Sequence, residues 1–145
     1  MVGIDGSRHA SAALRWAAEE AALRSATLEA VHAWSFVPVT TPSDPSLVPM
    51  PWTEGVEALE AMRAAAERTA ADQVRVVLGD QHDAIVTVTE GAASDVLRTA
   101  AANADLLVVG NQGRGNLASA LLGSTSAELA DSAPCPVVIV RATTD

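Results

Sequence analysis

The segment Leu106-Leu-Val-Val-Gly110-Asn-Gln-Gly113-Arg-Gly-Asn-Leu-Ala-Ser-Ala-Leu-Leu-Gly123-Ser124-Thr125-Ser126 passes from an apolar run through a glycine loop into a helix-forming stretch. An unbroken apolar run bounded by glycine reads as a strand buried on both faces, and a buried strand that feeds a helix belongs to a parallel sheet. Glycines let a backbone approach a ligand closely. Ser124 stands where a helix begins, with unpaired N–H groups and the positive end of the helix dipole pointing outward. In Gly110-x2-Gly113-x9-Gly123-Ser124 the two ends of one insertion return to the same place, so that three glycine amides and a hydroxyl face one polyphosphate. A phosphate cradle, and with it a nucleotide ligand, is the expectation.

Outward from that segment the chain alternates strands with helices. Strands are expected over 2–5, 26–34, 84–89, 105–110 and 136–141. Helices are expected over about 8–24, 53–78, 94–103 and 122–131. The first helix turns Ala10, Ala13, Leu14, Ala17 and Ala21 inward, and Glu20 can pair with Arg24 on its outside. The second carries Leu59, Met62, Ala66, Ala70, Val74 and Val77 on one stripe, with Gly79 as its cap, although residues 74–78 read equally well as strand. Between them, residues 36–54 show no period and contain prolines 38, 42, 45, 49 and 51, the signature of a long surface loop. Alternation of this kind predicts one α/β domain over 1–145, a doubly wound five-stranded parallel sheet with helices on both faces. Ligands of such sheets sit beyond the carboxyl ends of the strands, where the strand order reverses, and Asp5 and Gly110 both fall at such ends.

Composition narrows the partners. The 145 residues carry a net charge of −9, and all nine basic residues are Arg. That balance argues against a nucleic-acid backbone or an anionic membrane surface as partner and leaves no lysine to clamp a phosphate. One cysteine, Cys135, permits no internal disulfide, and no 18-residue apolar run or charged-then-apolar leader suggests export, so a cytoplasmic setting is expected.

Two familiar nucleotide motifs do not apply. Gly113-Arg-Gly115-Asn-Leu-Ala118 satisfies the dinucleotide pattern, yet that pattern belongs after a first strand with a second half-domain to come, and only residues 119–145 follow. The spacing from Gly110 is wrong for a P-loop, and no Lys precedes Ser124. Catalytic readings of the remaining reactive side chains are weak as well. His32 belongs to the apolar second strand and reads as a hydrogen-bonded core histidine, His9 and His82 read as solvated, and Cys135 has no basic neighbour to stabilise a thiolate. Arg114, the cation of the glycine loop, can steady outer phosphates with its fork of donors.

The chain resembles the universal stress proteins of the nucleotide-binding type. The resemblance rests on Val2-Gly-Ile-Asp5-Gly-Ser7, on Ala30-Val-His32-Ala33-Trp34 and on 104–141, and the glycine spacing marks family members that bind ATP. It implies that Asp5 approaches the adenine and ribose side, that Ala33 packs on the adenine, and that Gly110 lies near the ribose. Gly113, Gly123, Ser124 and Thr125 would hold phosphate oxygens. Gly3, Ile4, Val109, Gly115 and Ser126 complete the expected binding set, in which no catalytic residue and no metal ligand is named. Asn111-Gln112 stand where Ser-His or Ser-Arg is more usual. The first strand is also shorter than the family's, which leaves open a start upstream of Met1.

The expected function is that of an ATP-binding (or related adenine-nucleotide-binding) regulatory protein of the stress response. Any Mg²⁺ or Mn²⁺ would be held largely by phosphate oxygens and water. A slow ATPase switch and a nucleotide-free dimeric interaction module are the alternatives. The β-branched final strand, left at a sheet edge, implies a homodimer built by pairing that strand with its copy.

Overall fold

The computed structural model describes residues 1–35, 52–114 and 122–142. Five strands, β1 (Val2–Ile4), β2 (Glu29–Trp34), β3 (Ile85–Glu90), β4 (Leu107–Gly110) and β5 (Val137–Val140), alternate with four helices. These are α1 (Arg8–Arg24), α2 (Trp52–Leu78), α3 (Ala93–Ala101) and α4 (Ser124–Ser132). The strands form one sheet in the order β3-β2-β1-β4-β5, every neighbouring pair parallel. The chain winds outward from β1 to β3, then crosses to β4 and β5, so the reversal lies between β1 and β4.

Alternation along each strand divides the core into two layers. Val2, Ile4, Ala30 and Val108 face Ala13, Leu14 and Ala17 of α1 and Ala70 and Val74 of α2. Val31, Leu107 and Val109 face Val96, Leu97 and Ala101 of α3 and Leu129 of α4. At Gly3 a Cβ would stand 2.8 Å from Leu97 Cδ1, so a side chain there would require the Leu97 side chain to shift. The Met1 amine donates to the Leu106 carbonyl at 2.7 Å, and Val108 N donates to the Met1 carbonyl at 3.0 Å, which carries the β1–β4 pairing to the first residue.

Helix ends follow local chemistry. Ser7 caps α1 by accepting from Ala10 N at 3.1 Å. Ser25 closes the same helix in the left-handed region (φ 53°), its amide turned back to Ala21 and Ala22. Gly79, at φ +85°, donates to the Arg75 carbonyl at 2.8 Å and ends α2, which resolves the helix-or-strand ambiguity at 74–78 in favour of helix. Glu20 and Arg24 do pair, with Nε to Oε1 at 2.6 Å.

Several expectations change. Strand β2 begins at Glu29 rather than 26, because 25–27 complete the exposed turn after α1. Residues 52–54 of the expected loop belong to α2, and 36–51 lie outside the described residues. Met62, expected inside, is 41% exposed, whereas Ala66, Ala70 and Val74 are buried. The reason is length. Helix α2 has 27 residues, roughly 40 Å, against roughly 20 Å for a six-residue strand, so its N-terminal half projects past the sheet. No helix among the described residues is long and apolar enough to cross a membrane.

The layered core makes a direct prediction about stability. Leu14 is fully buried between α1 and the sheet, whereas Leu23 on the same helix is 82% exposed. Leu14→Ala is expected to cost about 2–5 kcal/mol and Leu23→Ala under about 0.5 kcal/mol in denaturant unfolding. Similar costs at the two positions would contradict the packing described.

Candidate functional site

The carboxyl ends of β1, β2 and β4 open into a cleft of about 270 Å³, closed on its far side by the first turn of α4. The position is the one at which a doubly wound sheet reverses direction. Every residue expected for the binding set lines this cleft except Gly115, which lies outside the described residues. Gly3, Ile4 and Asp5 come from the end of β1, Ala33 from β2, Val109 and Gly110 from β4. Gly113 and Arg114 come from the loop that follows, and Gly123, Ser124, Thr125 and Ser126 from the start of α4.

Two ends of the cleft differ in chemistry. Toward β2 and α3 the walls are Val31, Ala33, Ala93, Leu97 and Val109, an apolar slot between sheet and helix. Toward α4 the lining turns polar. Helix α4 starts at Ser124 with Gly123 in the cap position (φ −70°, ψ 156°), and no side chain caps it. The amides of Ser124, Thr125 and Ser126 therefore have no intrahelical acceptor and carry the positive end of the dipole.

Ser124 begins the helix, as its place in the sequence implies. The arrangement changes the expected cradle in two respects. The Gly123 amide is not offered to a ligand, because it donates to the Asn111 carbonyl at 2.7 Å, and that bond is what sets Gly123 in its extended conformation. The Ser126 hydroxyl is buried and donates to the Gly110 carbonyl at 2.6 Å, leaving this residue only its amide for a ligand. Gly110 has a packing reason to be glycine: a Cβ there would stand 2.7 Å from the His9 backbone carbon.

The acidic and basic groups meet at the mouth. The Asp5 carboxylate uses Oδ1 to accept from Ser7 N at 2.9 Å, while Oδ2 faces the glycine loop, 2.9 Å from where a Gly113 Cβ would be. Arg114 is exposed and lies over the β1–α1 turn, its Nη2 2.9 Å from the Cβ position of Gly6, a residue at φ +85°. Beneath that turn, buried Gln73 of α2 accepts from Gly6 N at 2.7 Å and donates to Ser7 O at 3.3 Å and Ser11 Oγ at 3.0 Å. Gln73 thus holds the turn that presents Asp5.

Histidines divide between core and periphery. His32 is buried and donates from Nδ1 to the Ile4 carbonyl at 2.9 Å. His9, expected in solvent, is 9% exposed and bonded to Asn111, because the close approach at Gly110 draws the first turn of α1 onto the end of β4. His82 is half-buried, and its Nδ1 has no hydrogen-bond partner among the described residues. Among the described residues no group of three or more His, Cys, Asp or Glu could hold a metal ion.

Sequence reasoning missed Val31, Leu97, Ala93, Ala10 and Gln112 as cleft residues. Val31 was accessible from strand period alone, since it lies two residues before Ala33 and so shares its face. Leu97 required knowing which strand α3 covers. Gln73 required the tertiary fold, 67 residues separating it from Gly6.

The sequence matches the model of the Universal stress protein family over residues 1–141. A universal stress protein of Mycolicibacterium smegmatis is 38% identical over 144 residues, which cover 97% of this chain and 47% of the relative; the chain thus spans about half the length of that protein. Among solved structures the fold is similar to UspA of Lactobacillus plantarum (TM-score 0.72, 23% identity, 97% of this chain and 96% of the other). It is also similar to a universal stress protein crystallised in complex with cAMP (TM-score 0.60, 30% identity, 96% and 92%). With a five-stranded parallel sheet, a cleft at its point of reversal and a family match along nearly its whole length, the chain belongs to the universal stress protein family.

Proposed function

We propose that the chain binds an adenine nucleotide, ATP by the glycine spacing, and acts as a nucleotide-dependent regulatory module of the stress response. The observation that carries this reading is the two-ended cleft. An apolar slot between Leu97 and the strands suits a flat base, and the uncapped amides of Ser124, Thr125 and Ser126 suit phosphate oxygens. Between them Asp5 Oδ2 would accept from a ribose hydroxyl, the role the family resemblance implies for it, and Arg114 would add a cation at the mouth. The cAMP complex of the relative at 30% identity supports an adenine ligand.

Binding rather than turnover follows from what phosphoryl transfer requires. It needs a positioned nucleophile and cations or metal ions that match the developing charge. Among the described residues Asp5 is the one carboxylate lining the cleft and Arg114 the one cation. A divalent cation, if it accompanies ATP, would be held by phosphate oxygens and water. We take the setting to be the cytoplasm, which supplies such nucleotides.

Calorimetric titration with ATP is the test. The chain is expected to bind one ATP. Asp5→Asn retains the acceptor for Ser7 N but loses the charge, and is expected to weaken ATP binding by about 1.5–3 kcal/mol, roughly tenfold or more. Turnover is expected at or below about one per minute, against roughly 1–1000 per second for common enzymes. Absence of ATP binding would remove the reading, and a rate above about one per second abolished at Asp5 would replace it with an enzyme.

Edge pairing of β5 is proposed as the means of dimerisation. The carbonyls of Pro136 and Val140 accept from Leu107 N and Asn111 N, so these residues and Val138 between them turn their polar groups toward β4. Val137 and Ile139 therefore present theirs at the free edge. Sedimentation is expected to report twice the chain mass. Ile139→Pro, which removes an edge donor while leaving the β4 ladder, is expected to shift the protein toward monomer. A wild-type chain that stays monomeric at tens of micromolar would refute the pairing.

A further inference from the structure

Asn111 is the residue on which four elements converge. Its amide donates to Val140 O of β5 at 2.8 Å and its carbonyl accepts from Gly123 N, the cap of α4, at 2.7 Å. Its side-chain Oδ1 lies 2.9 Å from Nδ1 of His9, in the first turn of α1, and both residues are buried. It follows directly on β4. Neither His9 nor Asn111 lines the cleft.

The direction of the His9 bond is fixed by its other neighbour. Arg8 Nε, which only donates, points at His9 Nε2 at 3.3 Å, so Nε2 is the acceptor and the ring proton sits on Nδ1. Nδ1–H then donates to Asn111 Oδ1. An amide side chain held in this way cannot rotate without leaving a buried donor unpaired, which makes the orientation of Asn111 costly to change. Helix α4 is tied to this point twice, by Gly123 N to Asn111 O and by Ser126 Oγ to Gly110 O at 2.6 Å.

We infer that His9 and Asn111 are positioning residues whose hydrogen bond sets where the N-terminal amides of α4 stand, and so tunes affinity for the phosphate end of the ligand rather than for its base. The inference rests on the nucleotide reading for the identity of the ligand but not for the existence of the clasp. It distinguishes the two ends of the cleft. The apolar slot is built from Val31, Ala33, Leu97 and Val109, whose side chains form no hydrogen bond to the clasp, whereas α4 is anchored through it.

Side-chain isosteres separate the hydrogen bond from simple filling of space. His9→Asn places an amide nitrogen where Nδ1 stands and keeps the donor. His9→Asp places a carboxylate oxygen there, facing the acceptor Oδ1. ATP and adenosine, which shares the base and ribose but lacks phosphates, are titrated into the wild type and both variants by calorimetry. In parallel, ¹H–¹⁵N spectra of the ligand-free proteins follow the amides of Gly123 and Thr125, and a long-range imidazole ¹H–¹⁵N spectrum of the wild type locates the His9 proton.

The expected result is a proton on Nδ1, ATP affinity reduced tenfold or more in His9→Asp and within about threefold of wild type in His9→Asn, and adenosine affinity unchanged throughout. The Gly123 and Thr125 amides shift in His9→Asp and stay in place in His9→Asn. His9→Leu, which fills the space without a donor, is expected to behave as the aspartate variant does and carries the test if that variant does not fold. Equal ATP affinity in all variants, or equal losses for ATP and adenosine, would overturn the inference. Should the wild type bind neither ligand, the nucleotide reading fails by itself. The clasp is then decided by the ligand-free spectra: amides of α4 unmoved in both His9→Asp and His9→Leu overturn it, and selective movement upholds it.

Discussion

The first turn of α1 rests directly on the end of β4, and the rest of the site depends on that contact. At Gly110 a side chain would place its Cβ 2.7 Å from the His9 carbon and 2.8 Å from the His9 oxygen, backbone atoms that have no rotamer by which to move aside. With hydrogen in place of Cβ, α1 comes close enough for His9 to reach Asn111, and Asn111 in turn holds the cap of α4. The same approach brings the β1–α1 turn, and Asp5 at its start, to face the glycine loop across the point where the sheet reverses. Close packing of backbone on backbone thus becomes the geometry of a cleft.

Polar groups buried around the cleft are spent on shape. The Gly123 amide, the Ser126 hydroxyl, the Asn111 side chain and the Gln73 side chain all hold protein groups in place. Among the described residues, three amides at a helix start, one face of a carboxylate and an exposed guanidinium line the cleft beside them. Fixed amides at a helix N-terminus need no rearrangement to meet an anion, so the cost of ordering the site is met when the chain folds rather than when a ligand arrives.

Much of this was legible in the sequence because it depends on period and on glycine. Apolar runs separated by amphipathic stretches gave the order of the elements, and the unbroken apolar run at 106–109 read as a strand buried on both faces, as Val108 in one core layer and Leu107 and Val109 in the other have it. The residues flanking the cleft were readable as ends of strands. What sequence spacing could not supply was which glycine amides are already engaged. Gly110, Gly113 and Gly123 look alike in a pattern, yet one accommodates a helix, one faces a carboxylate and one caps α4 with its amide bonded to Asn111. His9 was misjudged for a similar reason, since a residue at the start of a helix is normally solvated and only the contact across 102 residues buries it. Met62 fell outside because stripe periodicity does not report how far a helix overruns its sheet.

Amide chemical-shift mapping during an ATP titration tests the central claim most directly, since it reads where the ligand sits and which end faces which wall. The account predicts saturable shifts at Asp5, Ala33 and Val109, with the largest at Ser124 and Thr125, and predicts that adenosine moves the first group while sparing the second. Shifts confined to the opposite edge of the sheet, around Leu28 and Leu106, or no saturable shifts at millimolar ATP, would contradict it.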